Sequence, residues 1–90
     1  MKSIMQDTKT CFICGATEPL HRHHIYMGGN RRQSEKYGCW VWLCPEHHVG
    51  KTGVHFNRNL DLMLKKMCQS RFEETHSREE FRSIFGKSFL

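Results

Sequence analysis

Apolar positions in the last third of the chain recur at helical spacing. Leu60, Leu64, Met67, Cys68 and Phe72 form a stripe that predicts a helix within residues 57–90. A second helix is marked at its start by Ser77 and Glu80, which match a capping box. Phe81, Ile84 and Phe85 then share one face, and Gly86 can close the helix. The middle of the chain has a different rhythm. "LHRHHIYM" has the length and composition of a strand, and "CWVWLC", aromatic and β-branched, reads as a second. Between them "GGNRRQSEKYG" is a polar loop with glycine at each end. Pro45 fits the first turn of a helix, "PEHHVGK". Residues 1–10 are polar and read as a flexible N-terminus. The expectation is a small α+β fold: one domain over 11–90, with a core at 11–56 and a helical tail at 57–90. Trp40 and Trp42 flank Val41, so they share a strand face, where core packing is their expected role.

Ninety residues make one small domain, of a size that metals or disulfides commonly reinforce. No apolar run approaches the roughly 20 residues of a membrane span, and "MKSIMQDTKT" lacks a signal peptide's apolar stretch. A cytosolic setting without membrane contact is therefore expected, and thiols stay reduced there. The five cysteines then point to metal more than to disulfides. The net charge of +5 suits a polyanionic partner.

Candidate chemistry is concentrated. Six of the seven histidines lie between residues 21 and 55. Cys11-x-x-Cys14 followed by Gly15 has the form of a zinc knuckle, and Cys44-x-x-His47 has the same gap. Together they make a Cys3His tetrahedral set for structural zinc. Cys39 is a possible substitute for His47, and a Cys11–Cys14 disulfide is the alternative without metal. His21, His23, His24, His48 and His55 are then surplus to one closed site. His47 and His48 diverge by roughly 100° on a helix, so one can turn to the zinc while the other turns toward the strand carrying His23.

The order Cys-x-x-Cys, His-His, "LC", x-x-His-His over residues 11–57 resembles the HNH endonucleases, the zinc-stapled branch of the ββα-metal (His-Me finger) superfamily. Small phage and bacterial members also continue with a histidine and a helical tail, as "VHFNRNLDLMLKKM" does. The resemblance implies a two-stranded antiparallel hairpin plus helix around a catalytic divalent metal, Mg2+, Mn2+, Ni2+ or Zn2+. It implies that His23 and His48 bind that metal, that His55 completes the site, and that His24 is the general base. It implies hydrolysis of DNA, expected to be double-stranded, leaving 5′-phosphate and 3′-hydroxyl ends, in a bacterial or phage-encoded cytoplasmic protein. A homodimer or a packaging or restriction partner would be needed for double-strand breaks.

Two departures stand out. His47 replaces the family's last cysteine, and zinc accepts imidazole equally. No asparagine precedes "LC", where the family has one that braces the loop carrying the base; Asn30 and Asn57 are candidates to replace it through space. Arg31, Arg32, Lys36 and Lys51 are expected to hold phosphates, which gives affinity and register without reading bases. The competing expectations are a zinc-stabilised nucleic-acid-binding module without cleavage, and an adaptor that binds protein through its helical tail.

Overall fold

A computed structural model describes residues 1–90. The fold is small α+β, with one two-stranded antiparallel hairpin and helices packed around it. Strand β1 (His21–His24) pairs with β2 (Trp40–Leu43) in the register His21↔Leu43, Arg22↔Trp42, His23↔Val41, His24↔Trp40. Facing residues of an antiparallel pair project to the same side. His21 and His23 therefore share a side with Leu43 and Val41, which are both in the core. Arg22 and His24 share the opposite side with the two tryptophans. There the Arg22 guanidinium lies 3.9 Å from the Trp40 ring centre and 5.3 Å from that of Trp42. The tryptophans thus pack on the face away from the main core rather than within it.

The segment between the strands is not the loop expected of its polar composition. A 3-10 turn (Gly28–Asn30) leads into helix α1 (Arg31–Lys36). Ser34 is its one buried residue, so the helix carries no apolar stripe. On its buried side Ser34 Oγ donates to Tyr26 O at 2.7 Å and accepts from Tyr26 N at 3.1 Å, which ties the helix to the residues after β1.

Helix α2 (Pro45–His48) is one turn long and begins at proline as expected. Helix α3 (Arg58–Phe72) buries Leu64, Cys68 and Phe72. Met67, placed on the same stripe from its spacing, is exposed with Met63 on the outer side. Asn57 caps α3 by accepting from Leu60 N. Helix α4 (Arg78–Phe85) has both halves of the Ser77–Glu80 capping box, and Gly86 closes it at φ 91°. Tyr26, Phe72, Phe81 and Phe85 make an aromatic cluster that joins the hairpin to both tail helices. Burial raises the Tyr26 phenol well above its ordinary pKa, so it stays protonated and donates to Lys65 O on α3 at 2.6 Å. No helix is long and apolar enough to cross a membrane.

Residues 1–10, read from composition as a flexible extension, instead run along the outer edge of β2. Ile4 N donates to Gly38 O, Ser3 Oγ to Trp40 O, and Trp40 Nε1 to Met1 O. Gln6 Oε1 accepts from Trp42 N at 2.7 Å, and Phe12 N donates to Trp42 O. Met5 is buried. The segment supplies the partners that an edge strand otherwise leaves exposed. Its seat depends on Gly38, at φ 71°, where an added Cβ would run into the Lys2 carbonyl. Gly38→Ala should therefore cost about 1–3 kcal/mol of stability. Thermal unfolding followed by circular dichroism would show a lowered Tm; an unchanged Tm would mean that the N-terminal segment does not sit there.

Candidate metal centres

Cys11 and Cys14 lie on a turn before β1, closed by Gly15 N donating to Cys11 O at 2.8 Å. Strand β2 delivers Cys44 to the N-cap of α2, and one helical turn brings His47 back beside it. Ligand atoms of Cys11, Cys14, Cys44 and His47 all lie within 4.8 Å of one another, so this set could hold a metal ion. Cys14 Sγ is 3.8 Å from Cys44 Sγ. Tetrahedral thiolates bonded at about 2.3 Å would stand about 3.8 Å apart. His47 Nδ1 is 3.2 Å from Cys44 Sγ and 3.9 Å from Cys11 Sγ. All five cysteines are free, so the Cys11–Cys14 disulfide is not formed. Cys39 is buried in the main core and is not part of the set.

The electrostatics favour a thiolate at one corner. Burial pulls the Cys11 thiol upward, but backbone N–H groups of Cys44, Cys14 and Ile13 outweigh it and bring its pKa down to about 6. At Cys14 a backbone N–H from Ala16 favours the thiolate. Desolvation and the neighbouring Cys11 and Cys44 sulfurs together push that thiol up. Several sulfurs in so small a volume resist sharing negative charge until a cation joins them.

The second set is made of histidines alone. His23 comes from β1, His48 from α2, and His55 from the turn that follows. That turn folds back because Val54 N donates to His47 O at 2.9 Å and His55 N to His48 O at 3.3 Å. Gly53 permits the approach: a Cβ there would stand 2.8 Å from Glu46 O. Ligand nitrogens of His23, His48 and His55 also lie within 4.8 Å of one another. His48 Nε2 is 3.1 Å from His55 Nε2. Two nitrogens bonded to one cation at about 2.0–2.1 Å would stand about 2.8–3.4 Å apart, depending on its geometry. His23 is 2% exposed, and its Nε2 is buried without a hydrogen-bond partner. Burial first, then the neighbouring His48 and His55, lower its pKa to about 3. Burial, then His55 and His21, lower that of His48 to about 4. Both rings are therefore neutral at physiological pH, the form in which imidazole binds metal. An orphaned His23 nitrogen with ligand atoms of His48 and His55 gathered around it is a donor set that fits a cation.

His24 projects to the other side of β1, yet it reaches the same cavity of about 300 Å³, which Arg22, His23, Met27, Arg31, His48 and His55 also line. Its Nε2 is 3.0 Å from Glu35 Oε1 on α1. A carboxylate only accepts, so Nε2 carries the hydrogen and Nδ1 of the neutral ring keeps its lone pair. Arg31 Nε approaches that Nδ1 at 3.4 Å. Glu35 is held by Arg22 Nη1 at 3.0 and 2.9 Å, and its carboxyl is lowered chiefly by the His24 hydrogen bond and then by Arg22. Neither asparagine substitutes here: Asn30 donates to Phe85 O, and Asn57 caps α3.

Arg31, Arg32 and Lys36 line a neighbouring open depression of about 880 Å³, with His24 and Glu35 on its wall. Lys51 lies apart, exposed in the turn after α2, and lines neither cavity. Sequence reasoning missed Glu35 and Arg22. The signal was present: Glu35 is the sole acidic residue between His24 and Glu46, and Arg22 shares a strand face with His24 by simple alternation. Compared with protein-family models, curated proteins and solved structures, the chain shows no match.

Removing one sulfur should dismantle the first centre. Cys44→Ser should lose the bound metal and with it the folded circular-dichroism signal, because metal binding and folding are coupled in small metal domains. A Cys44→Ser protein that is folded and free of metal would refute the assignment.

Proposed function

We propose that the chain is an HNH-type endonuclease with a zinc-stapled ββα-metal core, and that it hydrolyses phosphodiester bonds of DNA. One observation carries the reading: adjacent histidines of one helical turn serve two separate donor sets. His47 faces the three cysteines, and His48 faces His23 and His55 beside a further histidine anchored by a carboxylate. A four-ligand closed set suits structural zinc. A three-histidine set bordering a cavity leaves positions for a substrate oxygen. A divalent cation held by His23, His48 and His55 would supply Lewis-acid stabilisation of charge on the scissile phosphate and the departing oxygen.

The protein's own groups divide the remaining work. Glu35 keeps the His24 hydrogen on Nε2, so Nδ1 is the nitrogen that accepts a proton from the attacking water. Arg31 sits against that nitrogen in the free protein, and a phosphate in the cavity would draw the guanidinium away and free the base. Arg31, Arg32 and Lys36 would bind flanking phosphates, and Lys51 would contact the backbone farther from the reacting centre. Glu35 takes the bracing part that the family's asparagine plays, from α1 rather than from the segment before β2.

The test is plasmid DNA incubated with the purified protein in Mg2+, Mn2+, Ni2+ or Zn2+, with a chelator control. Nicking should appear with metal, and His24→Ala should reduce it by about 10²–10⁴-fold with the fold intact. Glu35→Gln should slow it by less than His24→Ala does. Cleavage by His24→Ala at the parent rate would remove the base assignment.

A second reading, a nucleic-acid-binding module without cleavage, is favoured by the lack of any asparagine beside His24. It predicts DNA binding with no nicking in any metal. Under either reading, replacing Arg31 and Arg32 together by alanine should weaken DNA binding and flatten its dependence on salt. Unchanged affinity and salt slope would assign both arginines to the solvated surface.

A further inference from the structure

His21 belongs to neither donor set, yet its ring meets one of their members. His21 Nδ1 stands 3.0 Å from His48 Nδ1, with the rings edge-on. Across the same ring, His48 Nε2 stands 3.1 Å from His55 Nε2. The two nitrogens of His48 therefore keep different company: one faces the donor set, the other faces His21. These two histidines are the only hydrogen-bond partners of the His48 ring. No carboxylate or backbone carbonyl shares the task.

Proton bookkeeping then assigns roles. Two imidazole nitrogens 3.0 Å apart need one hydrogen between them. When a cation takes the lone pair of His48 Nε2, the ring's hydrogen has to sit on Nδ1. His21 Nδ1 is the atom placed to accept it. A metal-binding histidine generally donates its second N–H to such an acceptor, which fixes its tautomer and the direction of its lone pair.

We infer that His21 is a positioning residue for the histidine metal site, accepting the Nδ1–H of His48 so that Nε2 faces the cation. This rests on the reading of His23, His48 and His55 as a metal site. The strand accounts for the placement. His21 and His23 are two residues apart, so β1 presents both toward α2 on one side. One enters the donor set, and the other stands behind a ligand. The pairing of His21 with Leu43, a core residue directly before Cys44, fixes its height relative to α2. His21 is not itself one of the gathered ligands, since it meets His48 on the nitrogen turned away from His55.

The experiment uses the full chain with zinc in the cysteine site and Ni2+ titrated into the second site by calorimetry. The variants are His21→Ala and His21→Asn. Asparagine places its Oδ1 close to where imidazole has Nδ1, so it keeps the acceptor and discards the ring. His21→Ala should weaken Ni2+ binding by about 10–100-fold, with zinc content and circular dichroism unchanged. His21→Asn should recover most of that loss. His21→Ala binding Ni2+ as tightly as the parent would overturn the inference, and so would His21→Asn binding as weakly as His21→Ala. A parent protein that takes up a single metal ion, in the cysteine site alone, would overturn the second site itself.

Discussion

Everything in the centre of this protein depends on holding one helical turn still. Helix α2 has four residues, and a turn of that length does not persist in water by its own hydrogen bonds. Cys44 and His47 at its N-terminal end are placed to share a metal with the Cys11–Cys14 turn, and its C-terminal carbonyls accept from Val54 and His55. Clamped from both ends, the turn can present His47 and His48 in different directions with little slack. If the clamp loosens, both donor sets lose a member at once, because the two histidines share a backbone. The fold therefore couples the integrity of the cysteine set directly to the geometry of the histidine set.

Strand β1 repeats the device in extended form. Alternation sends His21 and His23 to the side of α2, and Arg22 and His24 to the side of α1. Each side then supplies support for its functional ring: His21 behind His48, and Glu35 with Arg22 behind His24. Under the proposed function, four consecutive residues would carry ligand, orienting and proton-accepting roles without any long side-chain excursion. The cost is a buried imidazole at His23 whose nitrogen finds no partner within the protein.

How much of this was legible depended on whether the signal was local. The knuckle halves were readable because Cys-x-x-Cys and Cys-x-x-His spacings are set by turn geometry, and the structure gathers those four residues as expected. The α4 cap was readable because Ser77, Glu80 and Gly86 act within a few residues of one another. Helix α1 was not, since a single buried serine leaves no hydrophobic period to detect. The contact of Glu35 with His24 was hidden for the same reason: it emerges only when that helix returns across the face of β1. Met67 was misplaced because the spacing from Leu64 fits the stripe, while the face of α3 that packs inward steps through Leu60, Leu64, Cys68 and Phe72.

The N-terminal segment has a consequence for the order of assembly. Its contacts with Trp40 and Trp42 span 36 to 39 residues of chain, whereas the hairpin closes first around the much shorter connection between His24 and Trp40. Shorter loops close at a lower entropic cost, and the edge of β2 does not exist until the hairpin has formed. Residues 1–6 are therefore expected to dock after the hairpin has closed. Met5 anchors the segment in the core and edge hydrogen bonds hold the rest, so the residues on either side of Met5 are suited to fray before the core opens. The only two tryptophans of the chain lie beneath them. Intrinsic fluorescence from this protein should therefore respond to the seating of this segment as well as to unfolding of the hairpin that carries both tryptophans.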